Sequence, residues 1–255
     1  MDLQVNGPKV YFAIHTPWFS INVTQTMVSL LAVTLILIII ACIATRKLTK
    51  RPGRLQVVTE KLVNMLYGLV EDTMGKHNLK FAPYIGTLFL SSIIGTLLGM
   101  TQVFRSVTAD LSVTLAWALV TSVMVWYNNI KNFGFGAWLK GFTEPIVVMT
   151  PMNIVSEIAQ PISMAFRHFG NVAGGSVLTA LVYAALAALS NFIFGWIPGF
   201  IGTIPFFQAG IPAFLSVYFD LFSGFVQALV FSLLTMVYVG GACPPPAENG
   251  EEAEK

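Results

Sequence analysis

Hydrophobic and polar positions along this chain fall in long blocks rather than in alternation. Residues 23–45 contain SLLAVTLILIIIACIA, an unbroken apolar stretch of about the 20 residues needed to cross a ~30 Å hydrocarbon layer. Residues 55–80 read differently. Leu55, Val58, Leu62, Met65, Leu66 and Leu69 recur at helical spacing, while Glu60, Lys61, Glu71 and Asp72 interrupt the apolar run. That pattern predicts an amphipathic helix lying on a membrane surface. Two spans are expected within 81–127. The first carries Gly95 and Gly99 in GTLLG, a pair of small residues that admits close approach of a neighbouring helix.

The stretch 151–190 is longer than an upright crossing requires at 1.5 Å rise per residue. It is either two elements broken at Pro161 or one long, strongly tilted helix. A loop rich in Gly, Pro and aromatics, FGWIPGFIGTIPFFQAGIP, precedes a last helix over 213–239. The tail GGACPPPAENGEEAEK has nothing to bury and is predicted to be disordered. The expectation is an all-α polytopic membrane protein with about five spanning helices. A single membrane domain covers 1–255, with 1–22 as an external segment and 240–255 as a cytoplasmic tail.

Composition agrees. The chain is 55% hydrophobic and 10% charged, with mean hydropathy +0.74, against about 25% charged residues in soluble domains. A net charge of +2, with no basic patch interleaved with aromatics, excludes a nucleic-acid partner. Cys42 and Cys243 have no metal-ligand spacing, so neither metal nor cofactor is expected. Charge also orients the chain. Arg46, Lys47, Lys50, Arg51 and Arg54 follow the first span directly, and the positive-inside rule puts them in the cytoplasm. The N-terminus is then outside and the C-terminus cytoplasmic, in agreement with Lys131 and Lys140 after the third span. The N-terminal stretch lacks the basic region and cleavage site of a secretory signal, so the first apolar helix is expected to be retained.

Few polar groups remain at membrane depth: Arg167 and Asn171 on the 151–190 stretch, and Asp220 and Gln227 on the last helix. A charge there costs about 2.5–3.5 kcal/mol even on the lenient insertion scale, which makes it a functional candidate. Arg167, Asn171 and Gly174 stand at i, i+4 and i+7 and share a face. Asp220 and Gln227 are seven apart, with Ser223 and Gly224 between them. Two facing polar stripes make a hydrophilic path, since polar groups at depth are tolerated where they line a cavity. His168 points to another face and reads as a surface or packing histidine rather than a proton carrier. Glu157, ten residues before Arg167, is a candidate for a cytoplasmic outlet. Asp110, in the loop FRSVTADLS, is either a helix cap or a channel-mouth residue. The alternative reading is a secondary transporter or ion channel with an intramembrane Arg/Asp site, although such proteins show two comparable halves and none are visible here.

The stretch PISMAFRHFGNVAGG resembles the P-x-S-x-x-x-R-x-F-G-N-x-x-(A/S)-G segment of subunit a of F-type ATP synthases. TLFLSSIIGTLLG with TADLSVTLAWAL, and SGFVQALVFSLLTMVYV, resemble that family's middle region and last helix. The resemblance covers roughly residues 20 to 240 of the chain. It implies a non-catalytic stator subunit with two long helices forming a hairpin against a ring of c proteolipids. Two offset half-channels there pass protons or sodium ions. It implies b-type peripheral-stalk subunits and, indirectly, the F1 sector as partners, and a bacterial plasma membrane as the location. It places ion translocation on Arg167, Asn171, Asp220 and Gln227 and a familiar aspartate at Asp110; Ser176, Asp110, Glu157 and Ser223 are candidates for further channel lining. Ser176 stands where some members of the family carry a titratable group, and Asp220 where such members often carry a histidine. The titratable inlet group is therefore expected at Asp220.

Overall fold

The protein is described by a computed structural model covering residues 9–15, 20–46, 48–50, 52–101, 103–194 and 218–245. The Gly/Pro/aromatic loop and most of the acidic tail lie outside these residues. Among the described residues, five segments are long and apolar enough to cross a membrane: Gln25–Thr45, Lys76–Met100, Leu111–Phe133, Val147–Ile193 and Leu221–Gly241. The all-α expectation holds for them.

The N-terminal segment departs from it. Strands β1 (Val10–His15) and β2 (Ser20–Thr24) pair antiparallel. Val10, Tyr11 and Phe12 on one side and Val23 and Thr24 on the other are residues that favour strands. The run is too short for its periodicity to be read from sequence. The first helix, α1 (Gln25–Thr45), therefore starts two residues later than expected. Thr24 Oγ1 accepts from the Met27 N–H at 3.4 Å, and the Gln25 N–H donates to the Lys9 carbonyl at 2.9 Å. These bonds satisfy free donors of the first turn and join hairpin to helix without a linker.

The amphipathic helix α2 (Arg54–Met74) stops short of residue 80. Gly75 ends it with φ +81°, and a Cβ there would lie 2.9 Å from the His77 ring, so only glycine fits both demands. A 3₁₀ turn, Lys76–Phe81, then leads directly into α3 (Ala82–Met100). Helix α4 (Leu111–Phe133) runs six residues beyond the expected end of its span, and a short unforeseen helix, α5 (Phe135–Gly141), follows Gly134. The stretch from 150 onward is one helix, α6 (Thr150–Phe194), with Pro161 inside it. Pro161 lacks the N–H that would reach the Glu157 carbonyl, yet the helix continues. Of the last helix expected over 213–239, residues 213–217 lie outside the described residues; from Tyr218 to Ser223 the chain is a π-helix, which continues as α7 (Gly224–Gly241).

The chain divides into two compact units, each taking pieces of the same helices. One comprises 37–90, 115–164 and 230–255, and its described interior is largely apolar. Val70, Met74, Ala82, Ile85, Val125, Met236, Val239 and Ala242 form a single cluster. Side-chain donors finish the C-terminal end of α7 in this unit. Asn78 Nδ2 donates to the Cys243 carbonyl at 3.0 Å, His77 Nε2 lies 2.9 Å from the same oxygen, and Asn132 Nδ2 donates to the Ala242 carbonyl at 2.8 Å. Carbonyls that the helix leaves without partners are thereby satisfied.

The other unit comprises 1–36, 91–114 and 165–229, and its described interior is polar to an unusual degree. Thr26, Ser29, Ser92, Thr96, Thr108, Thr114, His168, Ser190 and Gln227 are buried beside Val33, Val107, Ala165 and Ala228. The GTLLG pair is used only partly as expected. Gly99 receives the backbone of Ser106 from the returning loop, while Gly95 receives Val107 and, at 4.0 Å, Val33 of α1. A Cβ on Gly99 would lie 2.6 Å from Ser106 Cβ and 2.9 Å from its Cα, whereas one on Gly174 would meet nothing within 4 Å. Gly99→Ala is expected to destabilise by about 1–3 kcal/mol, as overpacking does. Gly174→Ala is expected to be neutral or stabilising by up to ~1 kcal/mol. Thermal unfolding of the detergent-solubilised protein checks the pair, and equal losses at the two positions would contradict it.

Candidate functional site

Helix α6 carries Arg167 at the surface and His168 in the interior, on adjacent residues. His168 is 1% exposed and shares a hydrogen bond with Ser92 of α3 at 2.9 Å. This fixes the rotation of α6 about its own axis. One residue is 100° of helical turn, so burying His168 turns Arg167 outward, where it is exposed. Among the described residues Arg167 has no ion-pair partner. Gly170 and Gly174, on the same side, are also exposed, and a Cβ on either would meet no atom within 4 Å. A permanent cation therefore stands beside two exposed glycines on this side of α6.

Asn171, one turn beyond Arg167, is partly buried and turned toward the last helix. The Ser223 hydroxyl donates to Asn171 Oδ1 at 2.8 Å, and Asn171 Nδ2 donates to the Ser223 carbonyl at 3.3 Å. Gln227, one turn after Ser223, is 9% exposed, and its Nε2 has no hydrogen-bond partner among the described residues. Gly224, between them, is buried, and a Cβ there would lie 2.6 Å from Thr96 Cγ2. The backbone of the last helix thus presses directly on α3. Asp220 lies within the π-helix Tyr218–Ser223, but its side chain is outside the described residues.

The two sequence-predicted stripes therefore meet at Asn171 and Ser223. Chemically the row is neutral: hydroxyl and carboxamide groups orient water and do not titrate. Two other candidates are occupied otherwise. Asp110 Oδ1 accepts from the Ser112 N–H at 3.0 Å, the bond of an N-cap on α4. Ser176 is exposed, and its hydroxyl donates to the Ala173 carbonyl of its own helix at 2.7 Å.

Glu157 belongs to the apolar unit. Trp126 Nε1–H of α4 donates to Glu157 Oε1. An open pocket of about 460 Å³ is lined by Asn129, Trp138, Phe142, Asn153, Ser156 and Glu157 among others. Asn153 Nδ2 holds the segment after α5 by donating to the carbonyls of Phe142 and Glu144. Sequence reasoning missed Trp126 and Ser92, the partners that hold Glu157 and His168. They sit 31 and 76 residues away from those partners, and no local spacing relates them.

The profile of the family described as ATP synthase A chain matches residues 26–240. The chain is 34% identical over 228 residues to ATP synthase subunit a 1 of Crocosphaera subtropica, covering 89% of this chain and 90% of that protein. It is 31% identical over 268 residues to the sodium-ion-specific ATP synthase subunit a of Propionigenium modestum, covering 93% and 86%. Similarity to ATP synthase subunit a of Priestia megaterium is 32% over 231 residues, covering 86% and 92%.

Burial sets the expected cost of mutation at the two neighbours. His168→Ala should lower stability by about 2–4 kcal/mol, through a cavity and a lost partner for Ser92. Arg167→Ala, at an exposed position, should stay within about 0.5 kcal/mol of wild type. Thermal unfolding in detergent checks the contrast, and a reversed order would refute the assigned rotation of α6.

Proposed function

Since the chain belongs to the ATP synthase A chain family and is an integral membrane protein, we propose that Arg167 faces a rotating ring of c subunits. The observation that carries this is an exposed guanidinium beside two exposed glycines of a membrane helix. The family match sets aside the transporter alternative. The ring's carboxylates travel through lipid in neutral form, because the charged form is strongly disfavoured there. As one reaches Arg167, the opposite charge lowers its pKa by about 1–3 units, and it ionises. Arginine keeps its charge on burial where lysine loses its proton. It therefore also repels an ion attempting to pass without rotation.

On this reading, ions enter from outside past Asp220, Asn171, Ser223 and Gln227 and load a ring carboxylate. They leave to the cytoplasm near Glu157 after nearly a full turn. Asp220 is the titratable member of the inlet. Ser176, where some relatives titrate, is left without that role, and Asp110 acts as a cap. The arginine- and lysine-rich segment 46–54 lies in the cytoplasm, so the N-terminus is outside and the C-terminus inside the plasma membrane. The b-type stalk subunits hold the chain against the ring, and the F1 sector receives the torque. The driving force is about 2.3 kcal/mol per charge per 100 mV. The carrier is a proton or a sodium ion, and the Propionigenium modestum relative is named for the latter.

Extraction in mild detergent followed by mass spectrometry should recover a small carboxylate-bearing proteolipid and soluble ATPase subunits. Recovery of a lone chain would count against the proposal. In vesicles holding the reconstituted complex, Arg167→Ala should abolish synthesis driven by an ion gradient, and Arg167→Lys should reduce it at least about tenfold. Asp220→Asn should slow synthesis comparably. Undiminished coupled transport in Arg167→Ala would overturn the stator role, and an unaffected Asp220→Asn would remove that residue from the path.

A further inference from the structure

Ser223 figures above only as a lining position, yet its bonding gives it a larger part. The Asn171 carboxamide has an acceptor end and a donor end, and Ser223 engages both. Its hydroxyl donates to Oδ1 at 2.8 Å, and its own carbonyl accepts from Nδ2 at 3.3 Å. A flipped carboxamide would set Oδ1 against the Ser223 carbonyl oxygen, two acceptors facing one another. Two facing acceptors lose both hydrogen bonds of the pair, so the mismatch is costly. The carbonyl forbids the flip, and the hydroxyl holds the oxygen in place.

Ser223 is itself held from behind. It is the last residue of the π-helix Tyr218–Ser223, and the α-helical winding of α7 starts at Gly224. Short π segments inside α-helices cluster at functional sites. Gly224 lies so close to Thr96 that a Cβ would come within 2.6 Å of its methyl group. Thr96 in turn donates to the Ser92 carbonyl at 2.9 Å, and Ser92 bonds His168 on α6. The junction that presents Ser223 is thus pressed on α3, and α3 is tied to the helix bearing Asn171.

We infer that Ser223 is a positioning residue for ion transfer, holding the Asn171 carboxamide in one orientation. This rests on the role proposed for Arg167 and Asn171. With its proton committed to Asn171, the Ser223 hydroxyl oxygen offers only lone pairs to the path. Asn171 Nδ2 keeps a second N–H, which offers only a proton. A water between them must donate to one and accept from the other, so the pair gives the local water chain a fixed sense.

The test uses the native complex in vesicles under an imposed ion-motive force. Synthesis rates are measured for Ser223→Ala, Ser223→Thr, Asn171→Ala and the double variant Asn171→Ala/Ser223→Ala, with Arg167→Ala as control. Ser223→Ala should slow synthesis about tenfold, the scale of one oriented hydrogen bond at the transition state. Ser223→Thr, which keeps the hydroxyl, should recover to within about twofold of wild type. The double variant should be no slower than Asn171→Ala alone, because residues acting through one another are non-additive. Where the alanine chain fails to assemble, Ser223→Cys, a weak donor, should show the same loss. Wild-type rates in Ser223→Ala, a threonine as slow as alanine, or losses that multiply in the double variant would each overturn the inference. Full synthesis in Arg167→Ala would instead bring down the stator reading itself, whereas failure confined to the Ser223 series leaves that reading standing.

Discussion

A hydrocarbon medium offers no hydrogen bonds, so each polar group placed in it must bring its own partner or stand where something else supplies one. Most of this chain obeys by local means. Thr34, Thr96, Thr121 and Thr235 all donate to the carbonyl four residues earlier on their own helices. Where a helix ends in the apolar unit, Asn78, His77 and Asn132 come from elsewhere in the chain to meet the last carbonyls. Against that background the exposed guanidinium of Arg167 is an exception, and the position of nearly every neighbour bears on it. His168 fixes the rotation of α6, Gly170 and Gly174 clear the face, and Asn171 turns away to the last helix.

The two units use different materials for the same reason. The unit around Val70, Met74 and Met236 has a largely apolar interior, with a few buried polar side chains such as Asn78 among it. The unit bearing Arg167 buries Ser, Thr, His and Gln side chains instead. Small hydroxyl residues let helix backbones come close, as at Thr96 and Gly224. They also leave donors and acceptors where water or an ion can use them. Under the proposed path, that polarity serves the passage of the ion.

Spacing alone carried much of this. The spans, the amphipathic α2 and the turning of His168 away from the Arg167 face were legible, because each depends on the 3.6-residue period or on an uncharged run. Partnerships across the fold were not. GTLLG promises close contact, and nothing in it says that a loop as well as a helix arrives. Trp126 and Glu157 meet across 31 residues, and no local rule relates them. The hairpin at Val10–His15 and Ser20–Thr24 was hidden by its length, too short for an alternation to stand out. Pro161 left the stretch open between two elements and one long helix, because proline removes a donor without always ending a helix, and α6 continues through it. The π-helix at Tyr218–Ser223 leaves the same residue types on the page as an α-helix would.

The bare face at Gly170 and Gly174 has a mechanical meaning. Helices that pack for good do so by interlocking, with side chains of one seated in hollows of the other, and each seat resists sliding. A bearing surface needs the opposite quality. With α6 lacking teeth at these two positions, a neighbour passing step by step has little to catch on there except charge, and charge acts at a distance without interlocking. Under the ring contact proposed for Arg167, smoothness here limits friction, in the way that a polished race, more than a strong one, decides how freely a shaft turns.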